Sequence, residues 1–210
     1  MSKTLYSKFD KNIIGRLPIA AFNGRIVVVL SESEANRAID YLLSKDILGI
    51  DTETRPSFKK GIVHTVALLQ VCDRNICFLF RLNLMGMPQS VIRLLEDTTV
   101  PKVGLSLYDD MMMLHHRADF VPGNYIDLQN LVGDFGIEDK SLQKLYANVF
   151  GERIVKRQQL SNWEAPILTD KQKLYAATDA WACIRLYEEL EHLKITGDYE
   201  LITQRTENEL

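Results

Sequence analysis

The feature that most constrains this chain is the segment Gly49-Ile-Asp-Thr-Glu53, an apolar run that ends in two acids. Its apolar residues predict a buried strand over residues 47–54. Residues two apart in a strand point to the same side, so Asp51 and Glu53 project together from one face. Two such carboxylates repel each other unless a cation lies between them, and oxygen ligands suit Mg²⁺ or Mn²⁺. A polar strand end exposed to water is the alternative interpretation of this segment alone.

The length and charge of the chain limit what surrounds this segment. The 210 residues are 46% hydrophobic and 25% charged, which predicts one globular domain and excludes a disordered or disulfide-dependent chain. A net charge of −3 excludes a protein that coats nucleic acid by bulk electrostatics, so a nucleic-acid partner has to be held locally at a site. The apolar run at residues 26–30 is far shorter than the ~20 residues that span a bilayer, so no membrane partner is expected.

Hydrophobic periodicity and turn signals predict an α/β fold. Strands are expected over residues 25–30, 47–54, 65–71, 76–82, 100–105 and 125–128, and helices over residues 31–43, 88–96, 108–116, 141–150 and 169–193. Three successive strands with short links predict an antiparallel meander, followed by parallel strands, in one mixed sheet flanked by helices. Residues 1–24 are expected to form an N-terminal extension, residues 25–193 the domain, and residues 194–210 a loosely held polar tail.

The second acidic feature lies late in the chain, in the segment Tyr175-Ala-Ala-Thr-Asp179. Positions i and i+4 of a helix share a face, so Tyr175 and Asp179 lie one turn apart. The alanines around them allow this helix to approach its neighbour closely, so that a phenol and a carboxylate can point together into a site. A surface aspartate beside a core tyrosine is the alternative interpretation.

A third acid, either Asp109 or Asp110, follows the short strand Lys102-Val-Gly104 at the predicted start of a helix. The phase of the apolar residues through Leu114 favours Asp110 as the site acid and Asp109 as a helix cap beside it. The helix dipole alone favours acids in a first turn, so this segment by itself also has a structural explanation.

The three cysteines, Cys72, Cys77 and Cys183, are expected to be reduced thiols in a cytoplasmic protein. Residues 1–12 are polar and lack the apolar segment of a signal peptide. Cys72 and Cys77 can face each other across a short turn, which leaves a disulfide or half of a metal site as the alternative. The pair His115-His116 follows a Met-rich helix, where packing or exposure is favoured over metal binding.

Each acidic segment is weak alone, but their order resembles the DEDDy branch of the DnaQ-like 3′–5′ exonucleases. The resemblance is greatest to the exonuclease domain of the Werner-syndrome helicase and to the catalytic domain of ribonuclease D. It covers roughly residues 28–193 and rests on residues 49–58, 66–70, 102–104, 110, 159–164, 168–172 and 175–180. Tyrosine four residues before the last aspartate distinguishes this branch from relatives that carry histidine. The resemblance implies a ribonuclease H-like mixed sheet.

The resemblance also implies a metal-dependent phosphodiester hydrolase that uses two divalent cations, Mg²⁺ or Mn²⁺. In that family pattern Asp51 bridges both ions, Glu53 and Asp179 hold the ion that activates water, and Asp110 holds the second ion. Tyr175 orients the attacking water together with Glu53, since a phenol of pKa ~10 is a poor base at neutral pH. The expected products are nucleoside 5′-monophosphates released from a 3′ end.

Several further residues are candidates for substrate binding, and solvated surface charge is the alternative for each cation among them. They are Thr52, Arg55, Lys59, Lys60, Lys156, Arg157 and Trp163. Trp163 either stacks on a base or packs the loop near the site. The expected partner is a nucleic acid with a free 3′ end, DNA slightly favoured over RNA, with no obligate protein partner. A non-catalytic binding module on the same fold is the alternative function.

Overall fold

The computed structural model describes residues 2–203, which contain eight strands and eight helices. The strands are β1 (Lys3–Tyr6), β2 (Arg25–Val29), β3 (Leu48–Thr54), β4 (Val66–Cys72), β5 (Ile76–Phe80), β6 (Lys102–Gly104), β7 (Tyr125–Asp127) and β8 (Tyr199–Ile202). The helices are α1 (Lys11–Ile14), α2 (Glu32–Leu42), α3 (Leu82–Met85), α4 (Gln89–Glu96), α5 (Leu107–His115), α6 (Leu128–Gly133), α7 (Leu142–Phe150) and α8 (Asp170–Thr196).

Six of the strands form the central sheet in the order β2-β5-β4-β3-β6-β7. Strands β3, β4 and β5 pair antiparallel in sequence, which confirms the predicted meander. Strand β6 lies parallel to β3, β7 lies parallel to β6, and β2 lies parallel to β5. The fold is therefore the expected mixed α/β sheet, with its carboxylate-bearing strand in the interior of the sheet.

Hydrophobic side chains cover both faces of this sheet. On one face Leu48 and Ile50 of β3 pack with the apolar side chains of α2, α4 and α5. On the other face α7 and α8 pack against the sheet and bury residues such as Ala180 and Ile184. Because β3 alternates between the faces, the residues between its buried apolar side chains point towards α8.

The predicted helix starts are confirmed by their caps. The Ser31 hydroxyl accepts from the Glu34 backbone N–H, and the Glu34 carboxylate accepts from the Ser31 backbone N–H, which is a capping box. Thr169 and Gln172 form a second capping box at the start of α8. Each cap satisfies backbone N–H groups that would otherwise lack partners, at about 1 kcal/mol per cap.

The two ends of the described chain differ from the expectation. Strand β1 pairs in parallel with β8, with Leu5 opposite Leu201, so the prediction of a loosely held tail is wrong for residues 199–202. Helix α8 continues three residues beyond the predicted end and stops at Gly197, which has a φ of 68°. Residues 204–210 of the predicted tail lie outside the described residues, and the division into extension, domain and tail stays a prediction.

The remaining expectations concern cysteines, histidines and membranes. Cys72 and Cys77 lie opposite each other on β4 and β5, and all three cysteines are buried without a disulfide. The His115 ring stacks on Phe120 at 4.2 Å between centroids, which agrees with packing. None of the helices in residues 2–203 is both long enough and apolar enough to cross a membrane.

Candidate active site

Asp51 and Glu53 lie near the carboxyl end of β3, on the face towards α8. Asp51 is half-buried and stands opposite Gln70 of β4, whose Nε2 donates to Asp51 Oδ2 at 3.2 Å. Glu53 is only 8% exposed. The sheet therefore holds two carboxylates in a setting that water reaches poorly.

Helix α8 brings the third carboxylate to the same place. A side chain at Gly49 would put its Cβ 2.1 Å from the backbone oxygen of Ala180, so only glycine lets α8 lie this close to β3. Because α8 lies so close to β3, Asp51, Glu53 and Asp179 can each offer an oxygen, and the three oxygens lie within 4.8 Å of one another. The early strand and the late helix thus build one acidic group, which we call the carboxylate triad.

Asp110 joins the site from α5 without belonging to the triad. The Thr52 hydroxyl donates to Asp110 Oδ1, which links α5 to β3 at the residue between Asp51 and Glu53. Asp110 is half-buried, whereas Asp109 is exposed. The burial of Asp110 and the exposure of Asp109 therefore agree with the choice of Asp110 as the site acid.

A strained turn fixes the start of α5. Ser106 has a φ of 61°, in the left-handed region that costs a non-glycine residue about 1–3 kcal/mol. The Asp127 carboxylate accepts from the backbone N–H of Ser106 at 3.1 Å and of Leu107 at 2.8 Å. Asp127 thereby holds the turn that aims α5 at the site, a role that the sequence analysis did not assign.

Burial raises the pKa of every acid in the site, and repulsion from the other site acids adds to the rise for Asp51 and Glu53. Burial, then Asp110 and Asp179, holds the pKa of Asp51 well above its ordinary value. Burial and the neighbouring Asp51 raise the pKa of Glu53 to about 10. Burial raises the pKa of Asp110 and of Asp179 to about 7. Four carboxylates this close do not all ionise at neutral pH unless a cation compensates their charge.

The donor set fits hard divalent cations. The Oδ1 atom of Asp179 is buried and lacks a hydrogen-bond partner among the described residues, as does Oε1 of Gln70. An unpartnered buried oxygen is costly, and a bound cation would satisfy the one on Asp179. Carboxylate oxygens are the ligands that Mg²⁺ and Mn²⁺ prefer. The residues present therefore fit a divalent metal site.

A cavity of about 250 Å³, which we call the carboxylate cavity, opens onto these acids. Its lining contains predicted residues and others that the sequence analysis missed. The predicted ones are Asp51, Thr52, Glu53, Lys156, Tyr175 and Asp179, and the missed ones are Leu105, Ser141, Leu142, Gln159 and Cys183. Ser141 lies at the predicted start of a helix, but nothing in the local sequence indicates that it faces the acids.

The cationic candidates for substrate binding separate into different places. Lys156 lines the carboxylate cavity, and its charge offsets part of the rise that burial causes in the pKa of Asp179. Arg157 lines a neighbouring cavity instead. Lys59 and Lys60 are exposed on the loop between β3 and β4. Arg55, at the start of that loop, forms an ion pair with Glu164 at 3.2 Å.

Trp163 is fully buried, so its place among the candidates for substrate binding, which required its ring to stack on a base, is wrong. Its ring lies 6.0 Å from the Tyr175 ring, measured between centroids, and its Nε1 donates to the Gln159 backbone at 3.5 Å. A ring without exposed surface cannot receive a base. Trp163 instead packs the loop before α8 against the tyrosine of the site, as the other of its two interpretations predicts.

Comparison with known proteins gives consistent matches over most of the chain. A family model described as 3′–5′ exonuclease matches residues 26–194. The bifunctional 3′–5′ exonuclease/ATP-dependent helicase WRN of Mus musculus is 32% identical over 202 residues, covering 91% of this chain and 14% of that protein. An Arabidopsis thaliana 3′–5′ exonuclease is 33% identical over 210 residues, covering 91% of this chain and 73% of that protein.

Among solved structures, the crystal structure of Escherichia coli RNase D superposes with a TM-score of 0.70. The match covers 83% of this chain and 47% of that one at 18% identity, so it supports the fold alone. The chain spans only a small part of the Mus musculus relative and about half of the RNase D chain.

Proposed function

Because this chain belongs to the 3′–5′ exonuclease family, we propose that it removes nucleotides one at a time from the 3′ end of a nucleic acid. The observation that carries the proposal is the carboxylate triad, three acids that offer oxygens within 4.8 Å of one another in a buried site. Five side chains would act there, and they are Asp51, Glu53, Asp110, Tyr175 and Asp179.

Two divalent cations, Mg²⁺ or Mn²⁺, would be held by the four acids. Asp51 would contact both ions, Glu53 and Asp179 the first, and Asp110 the second. Such ions lower the pKa of water and offset the charge of the scissile phosphate. The raised pKa values of the four acids support this proposal, since cations would allow all four to ionise at neutral pH.

Tyr175 would orient the attacking water without taking its proton. Burial, then the charges of Asp179 and Glu53, raises the pKa of Tyr175 far above its ordinary value. The phenol therefore keeps its proton at neutral pH and acts as a hydrogen-bond donor and acceptor of fixed position. Its neighbour Glu53 would share the contact with water. The products would be nucleoside 5′-monophosphates.

We further propose that DNA is favoured over RNA as the substrate. The segment Val103-Gly104 before Asp110 resembles the Werner-type pattern more than that of ribonuclease D. Thr52, Lys59 and Lys156 are the proposed contacts to sugar and phosphate, and low processivity is expected from the net charge of −3. A cytoplasmic location and the absence of an obligate protein partner stay predictions.

The test is a gel of 5′-labelled single-stranded DNA, recessed-3′ duplex DNA and matching RNA, each with Mg²⁺ or Mn²⁺. Wild type is expected to give a ladder that shortens from the 3′ end and disappears in EDTA. Asp51→Ala and Asp110→Ala should abolish the ladder, whereas the exposed neighbour Asp109→Ala is the matched control and should keep it. No metal-dependent shortening of any substrate would overturn the proposal and favour a binding role for the site.

A further inference from the structure

A second cavity, of about 260 Å³, lies beside the carboxylate cavity. Among the described residues, Tyr175 is the one that lines both cavities, so the two cavities meet at this residue. We call the second cavity the Tyr175 side pocket. Whatever occupies the side pocket therefore touches a residue proposed to position the attacking water.

The N-terminal segment builds one wall of the side pocket, and hydrogen bonds hold this segment in place. Ala20 donates its backbone N–H to the Arg153 oxygen at 3.0 Å, and the Arg153 N–H returns a bond to Pro18 at 2.8 Å. The Phe22 N–H donates to the Thr178 hydroxyl of α8 at 3.1 Å. Because the family match begins at residue 26, this wall comes from outside the matched part of the chain.

The lining of the side pocket is apolar with a cationic rim. Ile19 and Leu174 present apolar surface and are 59% and 40% exposed, respectively. Arg157 and Lys171 stand at the rim, and neither forms an ion pair within residues 2–203. No acid lines this pocket among the described residues, in contrast to the carboxylate cavity. An apolar slot beside two free cations suits a ligand with a flat apolar part and an anionic part.

We propose that the Tyr175 side pocket binds a nucleoside monophosphate unit, with the base between Ile19 and Leu174 and the phosphate against Arg157 and Lys171. The volume is just under the ~300–1,000 Å³ of typical small-molecule sites, so it suits one nucleotide and not a longer stretch. Bases of any sequence have an apolar face, so this slot would not select among them. The choice of nucleotide as the ligand rests on the proposed function.

The unit can come from two sources, a released product or a nucleotide of the bound strand. Both carry the same base and phosphate, and the experiment below includes one probe for each. Occupancy by either would place a ligand against Tyr175. A released product held there would remain in contact with the site after hydrolysis.

The test is equilibrium binding of deoxyadenosine monophosphate and of a deoxyadenosine tetranucleotide by calorimetry in EDTA, which keeps metal ions from recruiting phosphate to the triad. Leu174→Asp is expected to weaken binding at least about tenfold, because a carboxylate on the apolar wall loses water when a base enters. Lys171→Glu should weaken it severalfold. Ile195→Asp, on the same helix and 82% exposed, is the matched control and should bind as wild type.

Two further probes assign the parts of the ligand. Deoxyadenosine without phosphate and inorganic phosphate alone should each bind more weakly than the monophosphate. Loss of tetranucleotide binding alone in Leu174→Asp supports a strand nucleotide, and loss of both ligands supports a product site as well. Unchanged affinity of Leu174→Asp and Lys171→Glu for both ligands, with all three proteins folded by circular dichroism, would overturn the proposal.

The proposed function can fail independently of this one. Asp110→Ala should bind deoxyadenosine monophosphate in EDTA as wild type does, although it should not degrade DNA. Binding that depends on Leu174 in a chain that degrades no substrate would remove the exonuclease proposal and keep the pocket. Degradation of DNA by a chain whose nucleotide binding does not depend on Leu174 would keep the exonuclease proposal and remove the pocket.

Discussion

Replacing Glu53 by glutamine should stabilise the metal-free protein at alkaline pH. The Glu53 carboxyl is 8% exposed and lies beside Asp51 and Asp179, so burial and repulsion oppose its ionised form. Glutamine has nearly the same shape and is neutral at every pH. The substitution therefore removes the electrostatic penalty and leaves the packing in place.

The magnitude follows from the raised pKa of Glu53. Its ordinary value is 4.5 and its value in the fold is about 10, so between these values only the unfolded chain releases the proton. The contribution of Glu53 to stability is therefore fully present below 4.5 and is lost as the pH rises towards 10. The slope is about 1.4 kcal/mol per pH unit, which gives at most ~3 kcal/mol between about pH 6 and pH 8. For a chain of this size that is about 6–12 °C in Tm.

The assay is thermal unfolding in EDTA at about pH 6 and pH 8, followed by circular dichroism. The Tm of wild type should fall more than that of Glu53→Gln over this interval. Glu138 is an exposed acid paired with Lys8, so the Tm of Glu138→Gln should fall as much as that of wild type. Saturating Mn²⁺ should raise the Tm of wild type at the higher pH and raise that of Glu53→Gln less. Equal slopes for wild type and Glu53→Gln would refute the reasoning from buried repulsion.

Three further outcomes are expected. Tyr175→Phe should lower kcat by about 10²-fold with little change in KM, measured by single-turnover digestion, because it loses the hydroxyl but keeps the ring. Gly49→Ala should destabilise the fold by about 3 kcal/mol in urea unfolding, since its Cβ would meet the Ala180 oxygen at 2.1 Å; a smaller loss than 1 kcal/mol would contradict the close packing. Glu164→Gln should break the ion pair that holds Arg55, and with it the β3–β4 loop, so KM for oligonucleotides should rise severalfold. The free energy of unfolding should change by less than about 1 kcal/mol. Unchanged KM would show that this ion pair does not hold the β3–β4 loop for substrate.

Local geometry predicted which side chains of the site share a face, whereas the resemblance to a known family was needed to assign these segments to one site. Alternation in a strand puts Asp51 and Glu53 on one face, and the helical repeat puts Tyr175 and Asp179 on one face. The contacts that complete the site join distant segments, and local patterns do not encode them. Gln70 reaches Asp51 through the register of two strands, which depends on the whole sheet.

The misses have the same physical origin. A tryptophan ring can stack on a base only where it is exposed, and the local sequence does not show whether the Trp163 ring is exposed. Tertiary packing against Tyr175 buries it. Arg157 follows Lys156 directly, yet the two side chains line different cavities. Strand β1 is four residues long, too short to show a period, and its partner lies at the opposite end of the described chain.

The pairing of β1 with β8 has a consequence for how the protein is made. Residues Lys3–Tyr6 leave the ribosome before the rest of the domain, and their hydrogen-bonding partners Tyr199–Ile202 follow only after nearly all of the described chain has been translated. At ~5–20 residues per second, this edge waits on the order of 10–40 s. The central sheet can form in that interval from strands that are close in sequence. Pairing of β1 with β8 is then a late step in the folding of this domain, and β1 is exposed to other strands until it happens.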